Sequence, residues 1–383
     1  GVRGDLASDW RYDAWFTWTD AEETESYIND VSRSRFAQGV LVDPVTGQCF
    51  DPSGGCVPVN PFGAGNISSE AVEFIRVSDV QNETRREQLL ASAYASGPLA
   101  ELWAGTIDVA IGMEWRRDEG DFSADEVLFT GDTLGFRGQS SISGTEEVWE
   151  LYAEAIVPLI TDKAWAEYLG IEVGARYSDY KQAGTHDTYK LGAEWALPVG
   201  LRFRVMGQRS VRAPNLAELF EEQFTELGFI VSQNSPDPCS ASADPVGNGN
   251  TDKCILQGLP PDAIGVFEAP EIVFGESVMG GNPSLQPETG ETLTAGVVLE
   301  FDALPNWSLA VDYFDLQVED TIGPIDSRSI CFDSLNTDNR FCENIERDAT
   351  GNMSRITNLT SNRGLLKTRG VDTQLHYVAE LPG

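Results

Sequence analysis

The chain has 383 residues, 41% hydrophobic and 10% aromatic, with 26 Lys+Arg against 61 Asp+Glu and a net charge of −35. That apolar content excludes a disordered acidic tail, and so few cations without a basic run exclude a nucleic-acid partner, whose phosphates must be neutralised by Lys and Arg. His186 and His376 are the only histidines, which leaves multi-histidine metal centres and histidine-based triads almost nothing to be built from.

In chain order, the first regular segment is Trp10, Tyr12, Ala14, Phe16 and Trp18 alternating with Asp9, Arg11 and Asp13. Period two is the signature of a strand. A long irregular stretch then covers about residues 25–83, carries Cys49 and Cys56, and holds SSEAVEFI, whose serines before an acidic first turn predict a short helix near residues 70–74. The richest apolar region, residues 89–113, is broken by Gly97-Pro98, Glu101 and Asp108. No stretch approaches the roughly 20 apolar residues of a spanning helix.

Alternation resumes at Trp103, Gly105, Ile107, Val109, Ile111, Met113 and Trp115 against Ala104, Asp108, Glu114 and Arg116. It recurs through residues 168–180, 189–197 and 201–212, where Leu201, Phe203, Val205, Gly207 and Val211 oppose Arg202, Arg204, Gln208 and Arg212. Brief turns, QAGTH and PVG, join these segments. A second irregular stretch, about 220–285, contains Cys239 and Cys254. Leu293, Ala295, Val297, Leu299 and Phe301 then alternate, a third irregular stretch (about 323–362) contains Cys331 and Cys342, and Val371, Thr373, Leu375 and Tyr377 close the pattern.

About ten such segments are expected. Several sustain alternation for around ten residues, the length of a membrane strand rather than the five or six of a soluble one, and place Trp103/Trp115 and Tyr189/Trp195 near their ends, where interfacial aromatic girdles lie. The polar face bears full charges of both signs, including Asp108, Glu114, Arg116, Glu150, Glu154, Glu172, Arg176, Lys190, Arg202 and Arg204. A charged inner face suits a wet lumen. The fold class is therefore all-β, an antiparallel transmembrane β-barrel with outer-membrane lipid around it and long loops outside; a soluble β-sandwich binding glycans is the competing architecture.

The six cysteines form three local pairs, Cys49/Cys56, Cys239/Cys254 and Cys331/Cys342, all in long loops. Evenly paired loop cysteines predict disulfides in an oxidising compartment, and no C-x-x-C or adjacent histidine supports zinc. No metal or cofactor is expected. The Asp/Asn-rich pieces at residues 243–252 and 334–339 lack EF-hand spacing and read as polar turns rather than calcium sites. The five N-x-[ST] matches, at Asn66, Asn82, Asn306, Asn352 and Asn358, read as chance.

The segment RVMGQRSVRAPNLAELFEEQ, residues 204–223, closely resembles the barrel signature of TonB-dependent receptors, outer-membrane transporters of Gram-negative bacteria. GGNPSLQPETGETLTAGVVLEF (residues 280–301) is similar to the family's N-P-x-L-x-P-E-T turn and strand, and residues 56–75, 311–323 and 364–377 are similar in matching order. The resemblance implies a plugged barrel of about 22 strands, of which residues 1–383 are part of a single barrel domain.

The chain opens without Met or a leader and stops at a turn-like ELPG. The plug, the TonB-contacting N-terminal region and the C-terminal strands are therefore expected to lie outside it. The resemblance further implies energy-coupled uptake of a scarce small molecule, a ferric siderophore or another nutrient such as cobalamin, an oligosaccharide or a peptide, without chemistry. Its signature residues here are Arg209, Arg212, Pro214, Asn215, Glu218, Leu219, Asn282, Pro283, Pro287 and Glu288, read as structural with a lumenal position as the alternative; Arg212, Pro214, Asn215, Glu218 and Leu219 read as a cap where strand meets loop. Arg176, Arg202, Arg204, Glu150 and Glu154 are the candidate lumenal charges. An outer-membrane barrel enzyme is the functional rival, but neither histidine sits near a nucleophile motif such as G-x-S-x-G.

Overall fold

The computed structural model describes residues 1–135, 140–300, 306–333 and 339–379. Eleven strands form one antiparallel sheet: β1 Val2–Asp5, β2 Arg11–Tyr27, β3 Val80–Leu102, β4 Gly105–Ser123, β5 Ile142–Lys163, β6 Ala166–Tyr180, β7 Gly184–Leu197, β8 Leu201–Arg212, β9 Glu288–Leu299, β10 Trp307–Glu319 and β11 Leu365–Tyr377. Neighbours in sequence are neighbours in the sheet, the meander that short hairpins dictate. β1 and β11 form its two edges.

The pairing register sorts every side chain onto one of two faces. One face carries an unbroken apolar belt: Phe16 and Trp18, then Ala91 and Ala93, Ile111 and Met113, Leu151 and Ala153, Val173, Leu191, Val205, Leu293, Val311 and Leu375. These side chains have nothing to bury against. Leu151 is 58% exposed, Leu191 59% and Leu375 63%, which in water would forfeit about 1.5–3 kcal/mol each and in lipid forfeits nothing.

Aromatic rows border the belt. At one margin Trp115 and Trp149 lie 6.0 Å apart; at the other, Trp195 sits 6.5 Å from Trp165 and 5.7 Å from Phe203, and Trp307 4.6 Å from Tyr377. Trp149 is opposite Asp179, two residues beyond Tyr177, and Tyr177 is opposite Asp187, two residues before Tyr189. The row therefore climbs the register by two residues per strand, the stagger that tilted barrel strands require.

Strands run well past this belt. β3 has 23 residues and β5 22, against the 9–11 that cross a bilayer. Near one end, β3 and β5 each break register at a proline, Pro98 and Pro158, because proline has no N–H to give the ladder.

The sequence reading differs from the structure at three places. Trp103 and Ala104 form the turn before β4 rather than its first residues. β2 and β3 extend to Tyr27 and back to Val80, which shortens the first loop to residues 28–79. The turn at residues 181–183 belongs to the same end as the long loops, since β6 and β8 run toward that end and β7 away from it. Residue 301 and residues 334–338 lie outside the described residues.

The long loops fold into two lobes at one end of the sheet. In the first, residues 28–79 pack on residues 124–135 and contain the Cys49–Cys56 disulfide. Its core is Val59, Ala71 and Ile75. Ser68 caps helix Ser69–Ile75 by accepting from the Ala71 N–H, and Ser32 caps helix Arg33–Val40 through Arg35 N–H. Asp132 ties the segments together by accepting from Ser32 Oγ (2.6 Å) and Ser34 N–H (2.6 Å).

In the second lobe, residues 213–287 and 320–364 interleave. Strands Phe224–Val231, Val273–Met279, Met353–Thr357 and Ile345–Arg347 make one sheet, and the pair joining the two loops, Glu276–Val278 with Arg355–Thr357, is parallel. Its core joins Ile230, Val231, Ile345, Met353 and Ile356 to the Cys331–Cys342 disulfide, beside a cluster of Cys239–Cys254 and Leu259. The largest fully buried side chains, Leu128, Leu219, Leu259 and Ile345 among them, lie mostly in loops and lobes, with Val80 and Val148 at the lobe ends of β3 and β5. The conventional hydrophobic core is thus outside the apolar belt.

Candidate functional site

β8 ends at Arg212, Pro214 stops the ladder, and Asn215 starts helix Leu216–Phe220 with a capping box. Asn215 Oδ1 accepts from the Glu218 N–H and Glu218 Oε2 from the Asn215 N–H, both at 2.8 Å. Leu219 is 1% exposed. The helix lies flat on the charged face because Gly144 has no side chain: a methyl there would collide with the Phe220 ring.

Arg212 holds this helix to the returning chain. Its guanidinium donates to Glu288 at 2.7 and 2.8 Å and to Glu218 at 3.0 and 3.0 Å. The bond to Arg212 holds the Glu288 carboxyl below its ordinary range, helped by the Ile322 N–H at 2.6 Å.

The second signature turn closes over the first. Asn282 donates its N–H to Glu218 O (2.8 Å) and its Nδ2 to Thr360 O (3.0 Å). Between Pro283 and Pro287, Leu285 is 2% exposed, and Gln286 is clamped by Asn362, which accepts its N–H (2.8 Å) and donates to its carbonyl (2.6 Å). Arg212, Pro214, Asn215, Glu218, Leu219, Asn282, Pro283, Pro287 and Glu288 are thereby gathered into one knot. Arg209 stands apart, opposite Tyr189 and Glu291 on the belt-bearing face. Thr360 and Asn362 complete the knot with no signal in their own local sequence.

The face opposite the belt carries a ladder of ion pairs. Arg176 meets Glu150 at 3.5 Å and lies 5.1 Å over the Tyr152 ring. Lys190 bridges Glu154 (3.1 Å) and Glu172 (2.5 Å), Arg202 meets Glu194 at 3.6 Å, and Arg204 meets Asp312 at 2.6 Å. Arg176–Glu150, Lys190–Glu172 and Arg202–Glu194 join adjacent strands, whereas Lys190–Glu154 and Arg204–Asp312 reach across Gly174 and Gly296 of the strand between, where no side chain intervenes.

At the lobe end of this face a cavity of about 980 Å³ opens beneath helix Leu216–Phe220, lined by Arg86, Arg116, Asp118, Glu146, Tyr180 and Arg212 among others. Arg116 and Arg212 are committed to carboxylates; Arg86 has no ion pair among the described residues. Glu146 is 9% exposed, and its Oε2 has no hydrogen-bond partner among the described residues. His186 hydrogen-bonds the Ala183 carbonyl at 2.8 Å, and His376 sits opposite Ser308 on the far strand.

Three comparisons place this geometry. The model of the TonB dependent receptor-like β-barrel family matches residues 1–379. No curated protein matches the sequence. Among solved structures, the ferric enterobactin receptor PfeA in complex with BCV-L6 superposes with a TM-score of 0.54 at 15% identity, covering 97% of this chain and 40% of that one. A mutant of that receptor from Pseudomonas aeruginosa in complex with enterobactin gives 0.52 at 14%, covering 97% and 40%. The siderophore receptor PirA from Acinetobacter baumannii gives 0.52 at 14%, also covering 97% and 40%. At such identities the likeness is one of fold, and the chain spans about 40% of the length of these receptors. With the family model matched across nearly its whole length, the chain belongs to the TonB-dependent receptors and contributes to their β-barrel.

Proposed function

We propose that residues 1–383 are part of one barrel domain of an outer-membrane receptor of a Gram-negative bacterium, and that the receptor takes up a scarce small molecule by energy-coupled transport. The single observation that carries this reading is the division of one sheet into a continuous apolar belt and an ion-paired face. A sheet with an exposed apolar face is stable where lipid covers it, and a face crowded with paired charges is stable where water and protein do.

The plug and the TonB contact belong to other parts of the receptor. This chain supplies the wall, the outer lobes and a polar cavity at the mouth. A ferric siderophore is the leading ligand class, supported by the receptors for ferric enterobactin and siderophores that share the fold. The ligand passes unchanged, so the protein is not an enzyme.

The test is uptake by cells expressing the complete receptor, supplied with iron-55 chelates of catecholate and hydroxamate type, with and without a functional TonB complex. Receptor-dependent accumulation that disappears when TonB is inactivated supports the reading. Iron-independent growth together with no TonB-dependent accumulation of any iron chelate, cobalamin, oligosaccharide or peptide overturns it.

A further inference from the structure

The second lobe leaves one sheet edge, over residues 224–229, and one sheet face uncovered among the described residues; beyond them Ile230 and Val231 are buried and the Ile230 carbonyl accepts from Arg328. Phe224–Val231 is an edge strand, paired with Val273–Met279 on one side only. Ile230 and Val231 turn into the lobe core. The register sets Leu227 against Glu276 and Phe229 against Phe274 on the outward face. There Leu227 is 65% exposed, Phe229 69%, Phe274 61% and neighbouring Ile272 57%, and the two phenylalanine rings meet edge to face at 5.0 Å.

This corner lies in a lobe, away from the lipid belt, so lipid does not account for it. Clustered apolar exposure on a folded, solvated unit marks an interaction site. Natural edge strands are blunted by lysine, proline or inward charge, and residues 224–230 contain none of these, Glu226 being their only charge. An unpaired ladder with apolar side chains at alternate positions has what strand addition needs, main-chain bonds for affinity and side-chain contacts for specificity. Charge selects the partner. Residues 213–287 hold eleven acidic side chains and one lysine, with Glu222, Glu226, Glu271 and Glu276 close in sequence to the exposed cluster. Electrostatic complementarity therefore favours a cationic segment.

We propose that the edge at residues 224–229, with Leu227, Phe229 and Phe274, receives an extended basic polypeptide segment of another protein by strand addition. This goes beyond small-molecule uptake and needs only that the lobe face solvent. The test uses the complete receptor in lipid nanodiscs and a capped probe peptide, Lys-Val-Lys-Phe-Lys-Val-Lys. Two controls accompany it, the same peptide N-methylated at alternate amides and one with glutamate for lysine. Binding is followed by anisotropy and by hydrogen exchange of residues 224–229.

The expected result is that the basic peptide binds and slows exchange at this edge at least tenfold, while both controls bind at least tenfold more weakly. Phe229→Ser and Leu227→Ser should each weaken binding at least tenfold, with exchange at Ile345 and Ile356 unchanged as evidence that the lobe stays folded. Failure of the basic peptide to bind overturns the proposal. So does equal binding of the N-methylated peptide, which means adsorption without pairing. Edge amides already protected in the receptor alone also overturn it, because another part of the receptor then covers the strand; these readouts need no substituted protein.

Discussion

Asp237 and Arg347 face each other at 2.7 Å with side chains 1% and 0% exposed, although 110 residues of chain separate them. The guanidinium also donates to Gln257 Oε1 (2.8 Å) and to the Gly351 carbonyl (2.8 Å), and lies 5.8 Å from the Phe267 ring centre. One charge from each long loop is thus neutralised only when both loops are in place, which makes the second lobe a cooperative unit. Removing one partner leaves a buried, uncompensated charge, so Arg347→Ala should destabilise the lobe by about 3–5 kcal/mol. Exchange of the Ile345 and Ile356 amides should rise accordingly while β5 to β8 keep their protection; unchanged exchange in the lobe contradicts this.

The disulfides secure the same unit. Cys331–Cys342 and Cys239–Cys254 are both fully buried on either side of Gln257. Replacing Cys331 and Cys342 by alanine should cost about 2–4 kcal/mol. Protease should then cut within residues 320–364 at least tenfold faster, with the membrane strands intact. Cleavage at the wild-type rate would show that the bond adds nothing to the lobe.

The knot at Arg212 has a pH dependence with a definite sign. Because the Glu288 carboxyl is held below its ordinary value of 4.5, its contribution is fully present above that value. It is lost as pH falls through the lowered one. Exchange of the Ile322 and Asn282 amides, corrected for intrinsic rate, should be constant from pH 8 to 5 and accelerate only below about 4.5. Glu288→Gln should abolish that acid step. A change between pH 7 and 5, or the same acid step in the variant, goes against the assignment.

The belt and the ion-paired face should respond oppositely to one substitution. Leu191→Arg puts a cation among apolar neighbours in the belt and should cost about 2–4 kcal/mol in a bilayer. Thr188→Arg, on the other face beside Arg176 in the register, should cost less than about 1 kcal/mol. Equal losses in urea unfolding from lipid vesicles would deny the two faces their different surroundings.

Alternation was the readable part of the fold because a sheet with one face in lipid and one in water must repeat every two residues. β2, β4, β6 to β9 and β11 follow from that pattern, while β10 was seen only through the family resemblance at residues 311–323. β3 was the hardest strand to see: its belt positions are Leu89, Ala91, Ala93 and Ala95, small residues that give little contrast, and its far half is charged on both faces. The helix cap at Ser68 is local and was legible; the capping box of Asn215 and Glu218 is as local, but was read only as a structural cap between strand and loop. The Asp237–Arg347 pair, the parallel strands joining two loops, and the clamp of Asn362 on Gln286 were not, since each joins segments whose spacing carries no signal. The arginine ladder was legible as charge, but Arg204 pairs with Asp312 of β10 across Gly296 although the register sets it opposite Glu194 of β7, a choice that charge alone does not show.

The most direct test of the account is the environment of individual side chains in the complete receptor in a bilayer. Nitroxide labels on Leu151→Cys, Leu191→Cys and Leu293→Cys, and separately on Glu154→Cys, Thr188→Cys and Thr294→Cys, are compared for collision with oxygen and with a water-soluble nickel complex. The account predicts that the first three favour oxygen and the second three do not. Nickel access at Leu191 equal to that at Thr188 would contradict a lipid-facing belt, and with it the reading of this chain as a barrel wall.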